Sequence, residues 1–238
     1  MVEILVDVFI ISFIYVLPIV VFIKYLGNTN CKNYLKFFFI IIYVVGIILT
    51  SSFMDNLFPF IFVVLSVLIL RIDGYKDDYN IYNFSPRKTN FIRAFEYFIL
   101  FYVINIAVVI IFQWVFSKFN VAGQQQEIVK DMENMRLFAL IRYVPVSVIF
   151  APILEEFIFR FVLFEKIFKN KIGVYLGCIV SSILFSILHY NLEAFPVLFA
   201  LAVENCYLIH KKGFWYSVLN HSLFNFITVA SILADKIK

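Results

Sequence analysis

The stretch Ala151-Pro152-Ile153-Leu154-Glu155-Glu156-Phe157-Ile158-Phe159-Arg160 places three ionisable side chains inside an apolar segment that runs from residue 143 to residue 164. A charged side chain at the centre of a membrane helix costs about 2.5–3.5 kcal/mol on insertion scales, so such residues usually face the interior of a helix bundle. On a helix, Glu156 and Arg160 are four residues apart and share a face, which allows an ion pair. Glu155 is rotated by about 100° from Glu156. The stretch therefore predicts one carboxylate held by Arg160 and a second, that of Glu155, left available for chemistry.

The composition around this stretch is that of a membrane protein. The chain has 238 residues, of which 63% are hydrophobic, 20% aromatic and 15% charged, and its mean hydropathy is +0.94. These values are typical of a polytopic helical membrane protein and exclude an ordinary soluble domain. The net charge of +4 is modest and scattered among short connections, which indicates contact with the lipid bilayer and not with nucleic acid. The three cysteines lack CxxC spacing, so neither a disulfide framework nor a zinc finger is predicted.

Runs without charge predict an all-α bundle of eight transmembrane helices. Four are expected in residues 1–142 and four in residues 143–238, at 8–23, 37–54, 56–70, 97–117, 143–164, 172–192, 195–209 and 214–233. The first part supplies helices and polar loops, the second carries the polar motifs, and the two form one integrated membrane domain. The second and third runs predict a tight helical hairpin. Residues 118–142 predict either an amphipathic helix on the membrane surface or an ordinary solvated helix.

Two of the three histidines fall inside predicted helices. His189 ends the run Phe185-Ser186-Ile187-Leu188-His189, and His221 opens the run His221-Ser222-Leu223-Phe224-Asn225. His221 and Asn225 are four residues apart and share one helix face. Because each polar group needs a partner in hydrocarbon, we expect the fifth, sixth and eighth helices to converge and bring these groups to Glu155.

These side chains suit hydrolysis by an activated water. A carboxylate in apolar surroundings can act as a general base on water, imidazoles can position that water, and an amide can donate to a developing oxyanion. No activated serine or cysteine is evident, although Ser186 and Ser222 lie nearby, so attack by water on an amide fits better than an acyl-enzyme. Two imidazoles and a carboxylate could also bind zinc. The His-Glu-x-x-His spacing of metalloproteases is absent, and the metal question stays open.

Three motifs in order resemble the pattern of the CAAX protease and bacteriocin-processing (CPBP) family, also called the Abi family. They are Glu155-Glu156-x-x-x-Arg160, Phe185-x-x-x-His189 and His221-x-x-x-Asn225. Members of the family are intramembrane endopeptidases of the type II CAAX prenyl protease class. The resemblance covers residues 143–233. For residues 1–142, the prediction of membrane helices is supported only by their hydrophobicity.

The resemblance implies a role for each motif residue. Glu155 is the base that acts on water, while His189, His221 and Asn225 line the same cavity and position the water or stabilise the oxyanion. Glu156 and Arg160 match motif positions as well. We interpret these two mainly as a buried pair that fixes the helix, and less as direct participants in the chemistry.

The implied substrate is a membrane-associated peptide that is hydrophobic or lipidated. Similar bacterial proteins are linked to peptide maturation or to self-immunity against bacteriocins, and we expect a multi-pass protein of a bacterial plasma membrane. A non-catalytic immunity or binding protein that uses the same cavity is the alternative. A transporter is disfavoured because the polar residues cluster in the last four predicted helices without repeat symmetry.

Three further features have structural interpretations. Gly173-x-x-x-Gly177 is a pair of small residues that predicts close helix packing. Glu204 is either a substrate-binding or proton-relay group or a side chain that reaches the membrane interface. His210, beside two lysines at a predicted helix end, is expected to be interfacial.

Overall fold

The computed structural model describes residues 7–29, 31–50, 56–73, 84–119 and 126–237, and these residues form nine helices, a short 3-10 turn and no strand. The helices are α1 (Asp7–Asn28), α2 (Asn33–Leu49), α3 (Leu57–Ile72), α4 (Phe91–Lys118), α5 (Glu127–Asn134), α6 (Leu137–Ile172), α7 (Val174–Ile187), α8 (Phe195–Lys212) and α9 (Phe214–Ile237). The predicted all-α membrane fold is confirmed.

Four of these helices, α1, α4, α6 and α9, are long and apolar enough to cross a membrane. The helices α2, α3 and α7 are apolar but shorter. All eight predicted segments fall on helices where the structure describes them, but only four of those helices have the length and hydropathy of a full crossing by themselves. The protein is therefore a polytopic helical membrane protein with further short apolar helices.

Helix α6 is longer than the predicted segment 143–164 and lies at the centre of the bundle. Its turns widen to π-type hydrogen bonding over Val146–Phe150 and Glu156–Phe168. Pro145 and Pro152 lack the backbone N–H that α-helical bonding requires. Helix α6 is also buried on all sides in its middle, where four phenylalanines are nearly inaccessible: Phe157, Phe159, Phe161 and Phe164. A helix that is apolar all round belongs in the core.

The predicted sixth helix, 172–192, is shorter in the structure because both of its ends break. Gly173, with φ +82°, separates α6 from α7, and α7 ends at Ile187. The next residues form a turn in which Asn191 Oδ1 accepts a hydrogen bond of 2.7 Å from the N–H of Ala194. Such local side-chain bonds compete with continuation of a helix. His189, predicted inside a helix, therefore lies in the turn between α7 and α8, which is a correction.

Helix α7 packs closely on the end of α6. A Cβ atom at Gly177 would lie 2.9 Å from the backbone N of Lys169 and 3.0 Å from the carbonyl carbon of Phe168. The predicted close packing is thus confirmed for Gly177. A Cβ atom at Gly173 would meet nothing within 4 Å, so that residue serves the turn and not the packing.

The amino-terminal helices form an aromatic layer against this core. Phe22 of α1, Tyr43 of α2 and Phe62 of α3 are buried together, and a Cβ atom at Gly46 would overlap the Phe58 ring. The predicted hairpin partners α2 and α3 therefore contact each other, while the connection at residues 51–55 lies outside the described residues. Many large apolar side chains on the outward faces are exposed, as in Ile48, which is 73% exposed. Such a surface suits lipid.

Helix α5, within residues 118–142, is amphipathic as one of the two predicted alternatives required, and its apolar side faces the protein. Met132 is buried in a cluster with Leu140 of α6 and with Val229 and Ile232 of α9. The carbonyls of Glu133 and Met135 accept hydrogen bonds from Lys236 Nζ. The apolar side of α5 thus packs on the protein, at the carboxyl end of α9.

Candidate active site

Glu156 is the centre of a buried polar network that joins three helices. Its side chain on α6 is fully buried. Its Oε1 atom accepts hydrogen bonds from Asn205 Nδ2 of α8 at 3.0 Å and from His221 Nδ1 of α9 at 2.8 Å. Because a carboxylate accepts, this contact assigns the proton of neutral His221 to Nδ1. Glu156 therefore fixes the ring orientation of His221.

Arg160 makes the predicted ion pair with Glu156. Its Nε atom lies 3.3 Å from Glu156 Oε2, and both side chains are inaccessible to solvent. Its guanidinium carbon also lies 4.0 Å from the centre of the Phe185 ring, a cation–π distance. No guanidinium nitrogen of Arg160 hydrogen-bonds to another described residue. The carboxylate and the aromatic face together stabilise this buried charge.

Glu155 is the accessible carboxylate of the pair. Its side chain is 21% exposed, and its Oε2 atom lies 3.8 Å from His221 Nε2. Since Nδ1 of His221 donates to Glu156, the Nε2 atom that faces Glu155 is a hydrogen-bond acceptor in the neutral ring. A single water molecule can therefore donate to both the Glu155 carboxylate and His221 Nε2.

His189 lies beside the same ring system although it is not in a helix. The Phe185 ring is 4.7 Å from the His189 ring and 5.8 Å from the His221 ring, between centroids. His189 Nδ1 is 2.9 Å from the carbonyl oxygen of Phe185, so Nδ1 is the donor and Nε2 is left as an acceptor. Glu155 and His221 both act electrostatically on His189. The expected convergence of Glu155, His189 and His221 is thus present, through a turn instead of a helix.

Asn225 links α9 to α6. Its Nδ2 atom donates a hydrogen bond of 2.9 Å to the carbonyl oxygen of Ser147, which lies in a π-type turn of α6. This bond uses one of the two N–H donors of the amide. Asn225 lies one turn from His221, and its predicted contact with an oxyanion would use the second donor.

The sequence analysis missed two amides that extend the network. Asn220 Nδ2 donates to Asn205 Oδ1 at 2.8 Å, and Asn205 in turn donates to Glu156. Both asparagines are almost completely buried. Each lies inside a predicted apolar helix, so the rule that intramembrane polar residues have a role could have identified them.

Three residues singled out in the sequence lie in other contacts. Glu204 does not reach the membrane interface: it is buried, and its Oε2 atom accepts a hydrogen bond of 2.8 Å from Asn105 Nδ2 of α4. His210 is not merely interfacial, because its Nδ1 atom lies 2.8 Å from Glu165 Oε1 of α6. Ser186 donates to the carbonyl of Ser182 at 2.8 Å, which gives it no base to activate it as a nucleophile.

A metal site was the remaining alternative for these residues. Within the described ranges, no group of three His, Cys, Asp or Glu side chains is arranged to hold a metal ion. The Nδ1 atom of His221 faces the Glu156 carboxylate and its Nε2 atom faces the Glu155 carboxylate. Both ring nitrogens therefore face carboxylates, an arrangement that suits a hydrogen-bond network. Binding of zinc stays a prediction.

Comparison with known proteins agrees with the motifs. Residues 137–227 match the family model described as type II CAAX prenyl endopeptidase Rce1-like. A region of 119 residues is 30% identical to the membrane-embedded CAAX protease MroQ of Staphylococcus aureus (strain USA300), and it covers 45% of this chain and 47% of that protein. The chain thus matches about half the length of this curated relative. No solved structure matches it. The segment 137–227, which contains every predicted site residue, is therefore similar to the Rce1-like type II CAAX prenyl endopeptidases.

Proposed function

We propose that this protein is a membrane-embedded endopeptidase that hydrolyses a peptide bond with a water molecule activated by Glu155. The family match supports a protease. The observation that carries the mechanism is the 3.8 Å separation between Glu155 Oε2 and His221 Nε2. The His221 ring is held in this position by its hydrogen bond to Glu156. This separation supports a water molecule that donates to the accessible carboxylate and to the accepting nitrogen.

The reaction follows from these roles. Glu155 takes a proton from the water as its oxygen bonds to the carbonyl carbon of the peptide, and His221 Nε2 accepts the water's second hydrogen bond. The oxyanion that forms accepts a hydrogen bond from the second N–H of the Asn225 side-chain amide. When the C–N bond breaks, Glu155 returns the proton to the leaving amine. Glu156 and Arg160 take no proton in this scheme and act by holding His221 in place.

The proposed substrate is a hydrophobic or lipidated peptide that reaches the site from the bilayer, in a bacterial plasma membrane. The exposed apolar surface of the bundle and the bacterial relative support this setting. Peptide maturation and self-immunity against bacteriocins are the two physiological roles implied by the family resemblance, and in the proposed function each proceeds by cleavage of a membrane-associated peptide.

The test is hydrolysis of a quenched fluorescent apolar peptide by the full chain in liposomes. Glu155→Gln and His221→Ala should each lower kcat/KM by at least about 100-fold, the lower range for loss of general-base catalysis. Glu96→Gln, an exposed carboxylate on α4, is the matched control and should keep full activity. Normal hydrolysis by both site variants at equal membrane levels would refute water activation by Glu155.

A cellular assay separates the enzyme from the non-catalytic alternative. If the native chain protects cells from a peptide toxin and both site variants protect equally well, the protein binds the peptide without cleaving it. The zinc content of the purified, active protein tests the metal alternative. A content near zero would exclude a zinc-dependent mechanism.

A further inference from the structure

A cavity of about 820 Å³ lies among α4, α5, α8 and α9. Its wall is mainly apolar, with Val109, Phe112 and Val197, and its polar groups include Gln113 and Glu193. None of these residues belongs to the network around Glu156. The volume lies in the range of about 300–1,000 Å³ that is usual for ligand pockets.

The cavity adjoins the candidate active site along two elements. Thr228 lines the cavity and follows His221 by seven residues, which is about 10 Å along one face of α9. Asn191 also lines it and lies two residues from His189 in the same turn. A chain held in the cavity can therefore continue to the water-activating groups.

The hydrogen bond between Asn105 and Glu204 joins α4 and α8 at one end of the cavity. Asn105 precedes Val109 by about one turn of α4, and Glu204 follows Val197 by about two turns of α8. The two helices are joined at that level, and the cavity lies on the side where α8 begins. The cavity therefore lies between this contact and the turn that carries Glu193.

Glu193 is the acidic group of this wall. Its side chain is half-buried and makes no hydrogen bond or ion pair with another described residue. A partly exposed carboxylate attracts a cation held next to it, although solvent screens the attraction. The charge that complements this cavity is positive.

We infer that the cavity holds the part of the substrate peptide next to the cleaved bond, and that Glu193 selects a basic side chain in that part. The apolar wall suits the hydrophobic residues of such a peptide, and the side-chain amides of the lining residues Gln113 and Gln126 match the hydrogen-bonding groups of a peptide backbone. An acyl chain would use the wall and leave the Glu193 charge uncompensated. The inference rests on the proposed function for the identity of the peptide as a substrate.

The test uses three fluorescent apolar peptides that differ at one position, which is Lys, Gln or Glu. Binding to the full chain in neutral phosphatidylcholine nanodiscs is followed by fluorescence anisotropy, with Glu155→Gln protein as a parallel sample in which hydrolysis is suppressed. The native chain should bind the Lys peptide about tenfold more tightly than the Glu peptide, since attraction and repulsion each contribute modestly at a partly exposed site. Glu193→Gln should abolish this preference, and Glu193→Lys should reverse it.

Two controls fix the location. Glu96→Gln should keep the preference, and Val197→Trp, which fills the cavity, should weaken binding of all three peptides. Equal binding of the three peptides by the native chain, or a preference that survives Glu193→Lys, would overturn the inference. Cleavage without a charge preference would leave the proposed function intact, whereas a charge preference without cleavage of any peptide would leave the cavity assignment intact and overturn the proposed function.

Discussion

Glu155 and Glu156 are adjacent in the chain and have opposite surroundings. Glu156 is fully buried and bonded to Asn205 and His221, and it pairs with Arg160. Glu155 remains partly exposed beside His221. Both oxygens of Glu156 thus already face partners, whereas the Glu155 carboxylate is accessible to a water molecule. In the proposed mechanism, Glu156 therefore positions His221 and Glu155 reacts.

We expect Glu156→Gln to destabilise the protein by about 3–5 kcal/mol, because it leaves the buried Arg160 charge without its carboxylate. The double variant Glu156→Gln with Arg160→Met should recover most of this loss, since replacing both charges of a buried pair is often neutral. Thermal unfolding in detergent measures both. Equal destabilisation by the single and double variants would show that the ion pair is not what the substitution disrupts.

Asn205 offers a second test at the level of single atoms. Asn205→Ala removes the bridge between Asn220 and Glu156 and should destabilise by about 1–3 kcal/mol. Asn205→Asp keeps the shape and places a second negative charge beside Glu156, so it should destabilise more at neutral pH. The difference between the two variants should narrow as the pH is lowered, because protonation removes the added charge. Unfolding curves at two pH values decide this; a difference that widens at low pH would contradict it.

At the scale of elements, α6 shapes the site through its wide turns. The carbonyl of Ser147 lies in one π-type stretch and accepts from Asn225. The carbonyl of Phe159 lies in the other and accepts a hydrogen bond of 2.8 Å from Ser181 Oγ of α7. Single π-type turns are frequent at functional sites because they free backbone groups for other partners. Here those partners come from α7, which precedes His189, and from α9, which carries His221.

The contact of α7 with α6 depends on Gly177. Gly177→Ala should destabilise by about 1–3 kcal/mol, because the added Cβ meets backbone atoms that cannot move independently. Gly27→Ala is the matched control: its Cβ would meet only the end of the Lys36 side chain, at 3.5 Å, and stability should be unchanged or slightly higher. Thermal unfolding of the two variants compares them directly. Equal stability of both would show that α7 can shift away from α6 without loss.

At the scale of the whole molecule, α8 holds the bundle together through polar contacts on three levels. Asn205 reaches Glu156 of α6, Glu204 accepts from Asn105 of α4, and His210 contacts Glu165 of α6. In a bilayer, where apolar helix faces gain little from one another, interhelical hydrogen bonds contribute to association. These contacts fix the position of α8 between α4 and α6.

The contact between α4 and α8 gives a prediction for the assembly. Asn105→Leu leaves the Glu204 carboxyl buried without its donor and should destabilise by about 1–3 kcal/mol. The double variant Asn105→Leu with Glu204→Met should restore stability, because Asn105 Oδ1 and Glu204 Oε1 have no hydrogen-bond partner among the described residues even in the native protein. Thermal unfolding measures this pair of variants. Peptide hydrolysis by the double variant also tests whether Glu204 relays protons. If it does, the double variant should recover its stability but hydrolyse the peptide more slowly than the native protein.

Much of the architecture follows from local pattern in the sequence. The apolar composition determines a helical membrane protein, and the charge-free runs locate the helices, because solvation by lipid acts on each segment independently. The pairing of Glu156 with Arg160 was predictable for the same reason: both residues lie on one helix, and their spacing alone brings them together.

Only the tertiary structure decided which carboxylate holds His221, and that Asn205 and Asn220 support it. It also decided that His189 lies in a turn and that Glu204 is bonded to α4 instead of reaching the interface. Helical periodicity specifies the face of its own helix on which a residue lies. The partner across a helix boundary depends on how far each helix is rotated and shifted against its neighbours, and those two quantities are set by the packing of the whole bundle.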